Sequence, residues 1–256
     1  MPSFDHVFVV VFENKELGSV LGTRSAPTFN LYARTYARLT QSYAVAHPSL
    51  PNYLALVSGS TFGIRSDCTD CLVSARSLAD TIDASGRTWK TYAESLPRPG
   101  YLGAFSGRYA KKHDPFAYFR PIVNDPQRAR RIVPFAQLAS DRAASRLPDF
   151  GFIVPNMCNS MHDCSVKTGD RWLRKTVGPL LRIPRTVVFV TFDEGSSSLR
   201  GGGHIATLAL GTAVKPRAVF RGVTTHYGLL RTIEDAWGLP RLGESARATP
   251  ITGIWR

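Results

Sequence analysis

Two short runs, 7–12 (Val-Phe-Val-Val-Val-Phe) and 186–192 (Thr-Val-Val-Phe-Val-Thr-Phe), carry bulky side chains at consecutive positions rather than alternate ones. A strand with one face in water alternates apolar and polar residues. A short continuous run is instead buried on both faces, as in a parallel sheet covered by helices on either side. Both runs end in hard-oxygen side chains, Glu13-Asn14 after the first and Asp193-Glu194 after the second.

The spacing between these runs predicts helices over 27–38, 54–58, 77–84, 169–181 and 226–237, with further strands over 42–45, 88–93, 150–154 and 206–210. Such an alternation implies an α/β fold, a three-layer sandwich with a mostly parallel central sheet and helices on both faces. Ligands of such folds gather at the carboxyl ends of the strands. Glu13-Asn14, Pro155-Asn156 and Asp193-Glu194 each follow a strand end, so one rim is expected to carry them all. No linker-like tract divides the 256 residues, and a single domain over 1–256 is expected. Segment 97–137, rich in proline, arginine and aromatic residues, reads as a long excursion over that rim.

Hydrophobic residues at 43% and charged residues at 20% give the balance of a packed globular chain. The net charge of +13 suits an anionic substrate or an anionic membrane surface, while scattered surface arginines that aid solubility rank ahead of nucleic-acid binding. No recognised nucleic-acid motif accompanies the charge. The apolar runs fall far short of the roughly 20 residues of a membrane span. Met1-Pro2-Ser3 leads almost at once into the first strand, so the chain is expected to be either cytoplasmic or trimmed of a leader. Cys68 with Cys71 and Cys158 with Cys164 suit two local disulfides, which favour a secreted or periplasmic location. A four-cysteine zinc site and four reduced thiols are the alternatives.

Adjacent strand residues point to opposite faces, so Asp193 and Glu194 reach one ion only where the strand gives way to a turn, which Gly195 followed by three serines supplies. Carboxylates and an asparagine amide suit magnesium, calcium or manganese. Between the two pairs lies His47-Pro48-Ser49-Leu50-Pro51-Asn52-Tyr53, a serine in a proline-framed turn before a helix. Ser49 is either a nucleophile activated by a cation, with amides at the helix start receiving phosphate oxygens, or a helix cap. His6 begins a strand and His226 caps or packs a helix. His204, after three glycines, is a group supporting the site or an incidental residue of a hairpin.

The segment from Ala46 to Gly59 resembles the nucleophile segment of the alkaline-phosphatase superfamily, and more closely that of the phosphoesterase family of bacterial acid phosphatases and phospholipases C. The likeness extends over nearly the whole chain, through Lys111-Lys112-His113-Asp114-Pro115-Phe116, Met161-His162-Asp163, Gly169-Asp170-Arg171-Trp172-Leu173 and Thr225-His226-Tyr227. Within the family it resembles secreted bacterial acid phosphatases that act on phosphatidylinositol 3-phosphate. The resemblance implies one divalent metal held by Glu13, Asn14, Ser49, Asp193 and Glu194, with Ser49 also the nucleophile. It also implies that His113, His162 and Asp163 line the phosphate and leaving-group side. Asn52, Lys112 and His204 are the expected substrate contacts. A histidine cation can protonate a departing alkoxide, so mildly acidic conditions should favour turnover.

The expected activity is hydrolysis of phosphate monoesters, phosphoinositides among them, through a metal-activated serine and a phosphoserine intermediate. A phospholipase C or another phosphodiesterase would use the same site. A non-catalytic binder of anionic lipid or nucleic acid is the reading from another class.

Overall fold

The computed structural model describes residues 4–256. Met1-Pro2-Ser3, on which the reading of the start of the chain rests, lies outside the described residues. The described strands are β1 (His6–Phe12), β2 (Ala37–Tyr43), β3 (Trp89–Ala93), β4 (Phe105–Ser106), β5 (Tyr109–Ala110), β6 (Ile132–Pro134), β7 (Phe150–Val154), β8 (Thr186–Phe192), β9 (Thr207–Leu210) and β10 (Val219–Thr225). The α-helices are α1 (Leu17–Val20), α2 (Pro27–Thr35), α3 (Ser49–Ser58), α4 (Leu78–Ala84), α5 (Arg120–Val123), α6 (Pro126–Ala129), α7 (Ala136–Ala143), α8 (Val166–Val177) and α9 (His226–Trp237).

Eight strands form one sheet in the order β10-β2-β9-β8-β1-β7-β3-β6, while β4 and β5 make a separate hairpin. Only β9 runs against its neighbours in the large sheet. β1 lies parallel between β7 and β8, so the ends of all three reach the same edge, as the expected common rim requires. The consecutive apolar residues of β1 divide between two cores. Val7, Val9 and Val11 pack with Leu50 and Leu54 of α3, Ile82 of α4 and Leu230 of α9. Phe8, Val10 and Phe12 pack with Phe29 of α2, Leu138 of α7 and Trp172 of α8. Each such buried side chain contributes about 1.5–3 kcal/mol of transfer free energy, which makes the central strands a rigid base for the residues at their carboxyl ends. The three-layer α/β sandwich is therefore observed.

Several local boundaries differ from expectation. The helix expected over 27–38 ends at Thr35, and the strand expected over 42–45 runs instead from Ala37 to Tyr43. β2 has buried and half-buried positions in nearly alternating order, which the helical pattern running into it masks. β10 escapes sequence reading because a bulge between Phe220 and Val223 breaks its alternation at Arg221-Gly222. The helix expected over 169–181 begins at Val166 and stops at Val177. Gly178-Pro179 interrupts it before a short 3-10 turn, Leu180–Arg182, since proline has no N–H to continue the ladder. Segment 97–137 contains the β4–β5 hairpin, α5 and α6, and returns to the sheet as its edge strand β6.

Among the described residues no helix is long and apolar enough to cross a membrane. Cys68 is bonded to Cys71 and Cys158 to Cys164, and no cysteine is free. The zinc and free-thiol alternatives are thereby overturned.

Candidate active site

α3 begins at Ser49 itself, with Pro48 in the capping position. Pro51 falls in the first turn, where a missing N–H breaks no helical bond. Ser49 is therefore not a cap. Its buried Oγ donates toward Glu13 Oε2 (3.2 Å) and Glu194 Oε1 (3.3 Å). The other oxygen of each glutamate is already engaged: Tyr53 OH donates to Glu13 Oε1, and His47 Nδ1 donates to Glu194 Oε2. Tyr53 lies one helical turn beyond Ser49, so one face of α3 presents both hydroxyls to Glu13. His47 Nε2 donates to the Ser197 carbonyl (3.0 Å). Burial opposes charge on His47, but Ser197 and Glu194 outweigh it and raise its pKa.

Asp193 is buried at the end of β8. Its Oδ1 accepts the Asn14 backbone N–H (3.0 Å), with Asn14 in the left-handed region at φ 57°. Its Oδ2 is buried without a hydrogen-bond partner. His226, the first residue of α9, is fully buried and donates from Nε2 to the Asp193 carbonyl (2.6 Å), which fixes the strand end from below. The turn beyond Glu194 is tight: a Cβ on Gly195 would lie 2.5 Å from Glu16 Oε1, so glycine lets this loop close over Glu16.

These three carboxylates crowd a buried space. Burial, then the Asp193 charge, pushes Glu13 well above the usual carboxylate range. Burial raises Asp193 as well. Burial and the Asp193 charge carry Glu194 up to about 7, against the pull of His47. The crowding that raises these carboxyl groups is what a cation's opposing charge would relieve. Among the described residues no group of three or more His, Cys, Asp or Glu side chains is arranged to close around an ion as it stands. The donor chemistry nevertheless fits a hard divalent cation. Glu13 Oε2, Glu194 Oε1, the unpartnered Asp193 Oδ2 and Ser49 Oγ are four oxygens, and the outer oxygens of both glutamates are pinned by other side chains.

A second group of residues gathers beside Glu13 and the start of α3, Lys112 and His113 from a short 3-10 turn and His162 and Asp163 from the loop closed by Cys158–Cys164. Lys112 Nζ donates to Asp67 Oδ2 (2.8 Å) and to His162 Nε2 (3.4 Å), and His162 Nδ1 donates to Asp163 Oδ1 (2.7 Å). Burial opposes the Lys112 charge, but Asp67 outweighs it and raises its pKa. His113 is buried, stacks on Tyr53 with ring centroids 5.4 Å apart, and tilts against His162 at 5.9 Å. Its Nε2 lies 3.3 Å from Glu13 Oε2 but out of line for a hydrogen bond, so it counts as unpartnered. Burial, reinforced by Lys112 and His162, pushes His113 well below the ordinary histidine value. The cation expected at His113 is thus not what its surroundings favour, and the fixed positive charge here belongs to Lys112.

Two expected substrate contacts are engaged elsewhere. Asn52 is buried, with Oδ1 accepting from the Val45 and Ala46 amides (2.9 and 3.1 Å) and Nδ2 donating to the Ala46 and Pro48 carbonyls (2.8 and 3.1 Å). Its amide brackets the turn that carries Ser49 and is spent on it. His204 stacks on Tyr43 and donates from Nε2 to the Thr40 carbonyl (2.9 Å), which places its ring against β2. Two positions in the first turn of α3 offer phosphate no free N–H. Leu50 N–H donates to Asp67 Oδ1 (3.0 Å), and Pro51 has none.

Sequence reasoning missed His47, Tyr53 and Asp67, and read His226 only as a helix residue. Tyr53 had a signal in its four-residue spacing from Ser49, and His47 in its place beside the turn. Asp67 and His226 meet the site only through long-range packing.

The sequence pattern of the phosphoesterase family matches residues 19–240. This chain belongs to the phosphoesterase family. It is 36% identical to a phosphatidylinositol-3-phosphatase of Mycobacterium tuberculosis, over 100% of this chain and 84% of that protein. It is 33% identical to an acid phosphatase of Aspergillus fumigatus, over 80% of this chain and 49% of that protein. The phosphoesterase chain thus spans about half the length of that fungal relative. Among solved structures it resembles an alkaline-phosphatase-superfamily protein of Vibrio parahaemolyticus, with a TM-score of 0.61 at 13% identity over 94% of this chain and 68% of that one. It likewise resembles a murine ectonucleotide pyrophosphatase/phosphodiesterase, with a TM-score of 0.60 at 12% identity over 93% of this chain and 96% of that one. These likenesses show that the chain shares the fold of these proteins.

Proposed function

We propose that Ser49 is the nucleophile of a phosphoric monoester hydrolase, the activity class of the acid phosphatases this chain matches. The observation that carries this reading is the hydroxyl of Ser49 held between Glu13 Oε2 and Glu194 Oε1, with Asp193 Oδ2 left open beside them. Glu13, Asp193, Glu194 and Ser49 would hold one divalent cation, with Asn14 beside them at the end of β1. Such a cation lowers the pKa of a serine hydroxyl and neutralises phosphoryl oxygens.

The remaining work falls to side chains. Tyr53 and His47 keep Glu13 and Glu194 turned toward Ser49. An ammonium has three N–H groups, and the contacts of Lys112 with Asp67 and His162 leave one for a phosphate oxygen. Attack forms the bond from Ser49 Oγ to phosphorus, the hydroxyl proton leaving to solvent, and breaks the bond to the leaving oxygen, which takes a proton carried on His162 Nε2 in place of its Lys112 contact. Water then attacks the phosphoserine, His162 Nε2 takes its proton, and phosphate leaves while Ser49 Oγ regains a proton from solvent. Catalysis of this kind rests on positioning and charge stabilisation.

Phosphoinositides are the proposed substrates, supported by the name of the mycobacterial relative and by the net charge of +13, which also suits contact with an anionic membrane surface. The two disulfides support a secreted or periplasmic location. The test is p-nitrophenyl phosphate hydrolysis by the wild type and Ser49→Ala, with bis-p-nitrophenyl phosphate alongside. Monoester turnover lost in the variant is expected, with a strong preference over the diester. Retained turnover in Ser49→Ala would refute the nucleophile, and a diester preference would move the assignment to a phosphodiesterase.

A further inference from the structure

Asp67 has no place in the proposed chemistry, yet it joins two parts that the chemistry needs. It stands beside Cys68, at the edge of the short ring closed by the Cys68–Cys71 disulfide. One oxygen, Oδ1, accepts the N–H of Leu50, the residue directly after the nucleophile (3.0 Å). The other, Oδ2, accepts from Lys112 Nζ (2.8 Å). The same ring holds the neighbouring lysine, since Lys111 Nζ donates to the Thr69 carbonyl (2.8 Å).

We propose that Asp67 is a positioning residue of the phosphoryl-transfer site, tying the Ser49–Leu50 turn to the ammonium of Lys112 so that nucleophile and phosphate-binding cation keep one spacing. The inference rests on Ser49 being the nucleophile.

A lysine carries a compact charge on a flexible stem with four rotatable bonds, so it needs a fixed partner to be held at one point. Asp67 supplies that partner from one side and His162, steadied by Asp163, receives Lys112 from the other. The chain Asp67–Lys112–His162–Asp163 thus starts beside one disulfide and ends inside the loop closed by the other, Cys158–Cys164. Asp67 also changes which group can take the substrate. By occupying the Leu50 amide it withdraws that N–H from the phosphate, and Pro51 offers none, which adds weight to the charge of Lys112. A carboxylate that merely braced its own loop would need neither contact.

The test is a double-mutant cycle on p-nitrophenyl phosphate with Asp67→Ala, Lys112→Ala and the double variant, with Ser49→Ala run in parallel and inorganic phosphate as a competitive probe. Asp67→Ala is expected to lower kcat/KM about 10- to 100-fold, the usual scale for a displaced positioning group. It should weaken phosphate inhibition as well, and the double variant should be no worse than Lys112→Ala. Asp67→Asn keeps an acceptor for Leu50 N–H while losing the charge opposite Lys112, so it should fold normally and fall between wild type and Asp67→Ala. The proposal is overturned if the two losses multiply, or if Asp67→Asn keeps wild-type kcat/KM. Tighter phosphate inhibition in Asp67→Ala would also overturn it, because Asp67 would then be a placeholder that substrate displaces. Turnover surviving in Ser49→Ala would instead count against the nucleophile, and is read separately.

Discussion

Glu13, Asp193 and Glu194 are delivered by the ends of buried parallel strands, whereas Lys112 and His113 arrive on a short 3-10 turn, Lys111–His113, and His162 and Asp163 on a loop. The first set inherits its placement from the central sheet: β1 and β8 are paired in register from His6 opposite Thr186 to Phe12 opposite Phe192, which leaves little freedom at the next residue. The second set has no such ladder. It is held by two short disulfide loops and by side chains that bond one another, from Asp67 through Lys112 to His162. The carboxylates proposed to hold a cation thus have a rigid frame, while the residues proposed to meet a variable leaving group sit on segments whose geometry is fixed by a few crosslinks.

The contrast can be broken most sharply on the strand side. Asp193→Asn should lower kcat/KM for p-nitrophenyl phosphate by about 1,000-fold or more, in the range seen when one essential group of a catalytic unit is removed. Chelator should abolish wild-type turnover, with added divalent cation restoring it. If Asp193→Asn stayed within tenfold of wild type, the strand-end carboxylates would not be the metal side.

On the loop side a smaller effect is expected. Replacing Cys158 and Cys164 together with serine should cost about 10-fold in kcat/KM, since His162 and Asp163 lose their crosslinked frame but not their chemistry. Far-ultraviolet circular dichroism should be unchanged, because both sheet faces keep their cores. A loss as large as that of Asp193→Asn would erase the distinction between the two sides.

The smallest effect concerns stability. Asp114 lies beside His113, fully buried, and burial pushes its pKa from 3.8 to about 7 against the opposing pull of the Tyr109 hydroxyl and Lys111. Below about pH 4 the acid is protonated folded or unfolded. Between about 4 and 7 the unfolded chain releases the proton and the folded chain keeps it, so stability falls as pH rises through this window and levels off above it. Urea midpoints of wild type and Asp114→Asn, compared at pH 4.5, 6 and 8, should therefore diverge, with the variant losing less as pH rises. Parallel curves would show that Asp114 is not held neutral.

The strand side was also the legible side. Consecutive apolar residues in β1 and β8 announce strands buried on both faces, and the residues at the carboxyl end of such a strand must lie on the ligand-binding edge. Glu13, Asp193 and Glu194 could thus be placed from the chain alone. Residue types were legible on the loops, through the likeness carried by Lys112-His113 and His162-Asp163, but their bonding was not. Nothing in the spacing of Asp67 to Leu50 and Lys112 marks their contact, which the folded loops create. Asn52 and His204 show the converse. Their side chains suit a phosphate, and packing spends them on the turn before α3 and on β2. His113 has the expected place but not the expected charge, because its burial could not be read from a segment without periodicity.

The covalent role of Ser49 is tested most directly by quenching wild-type enzyme in acid during turnover of p-nitrophenyl phosphate and mapping phosphate by mass spectrometry. Phosphoserine at Ser49, absent from Ser49→Ala, is the expected result. A fully active wild type that yields no phosphoserine under rapid quench, or one that carries the phosphate on another residue, would contradict it.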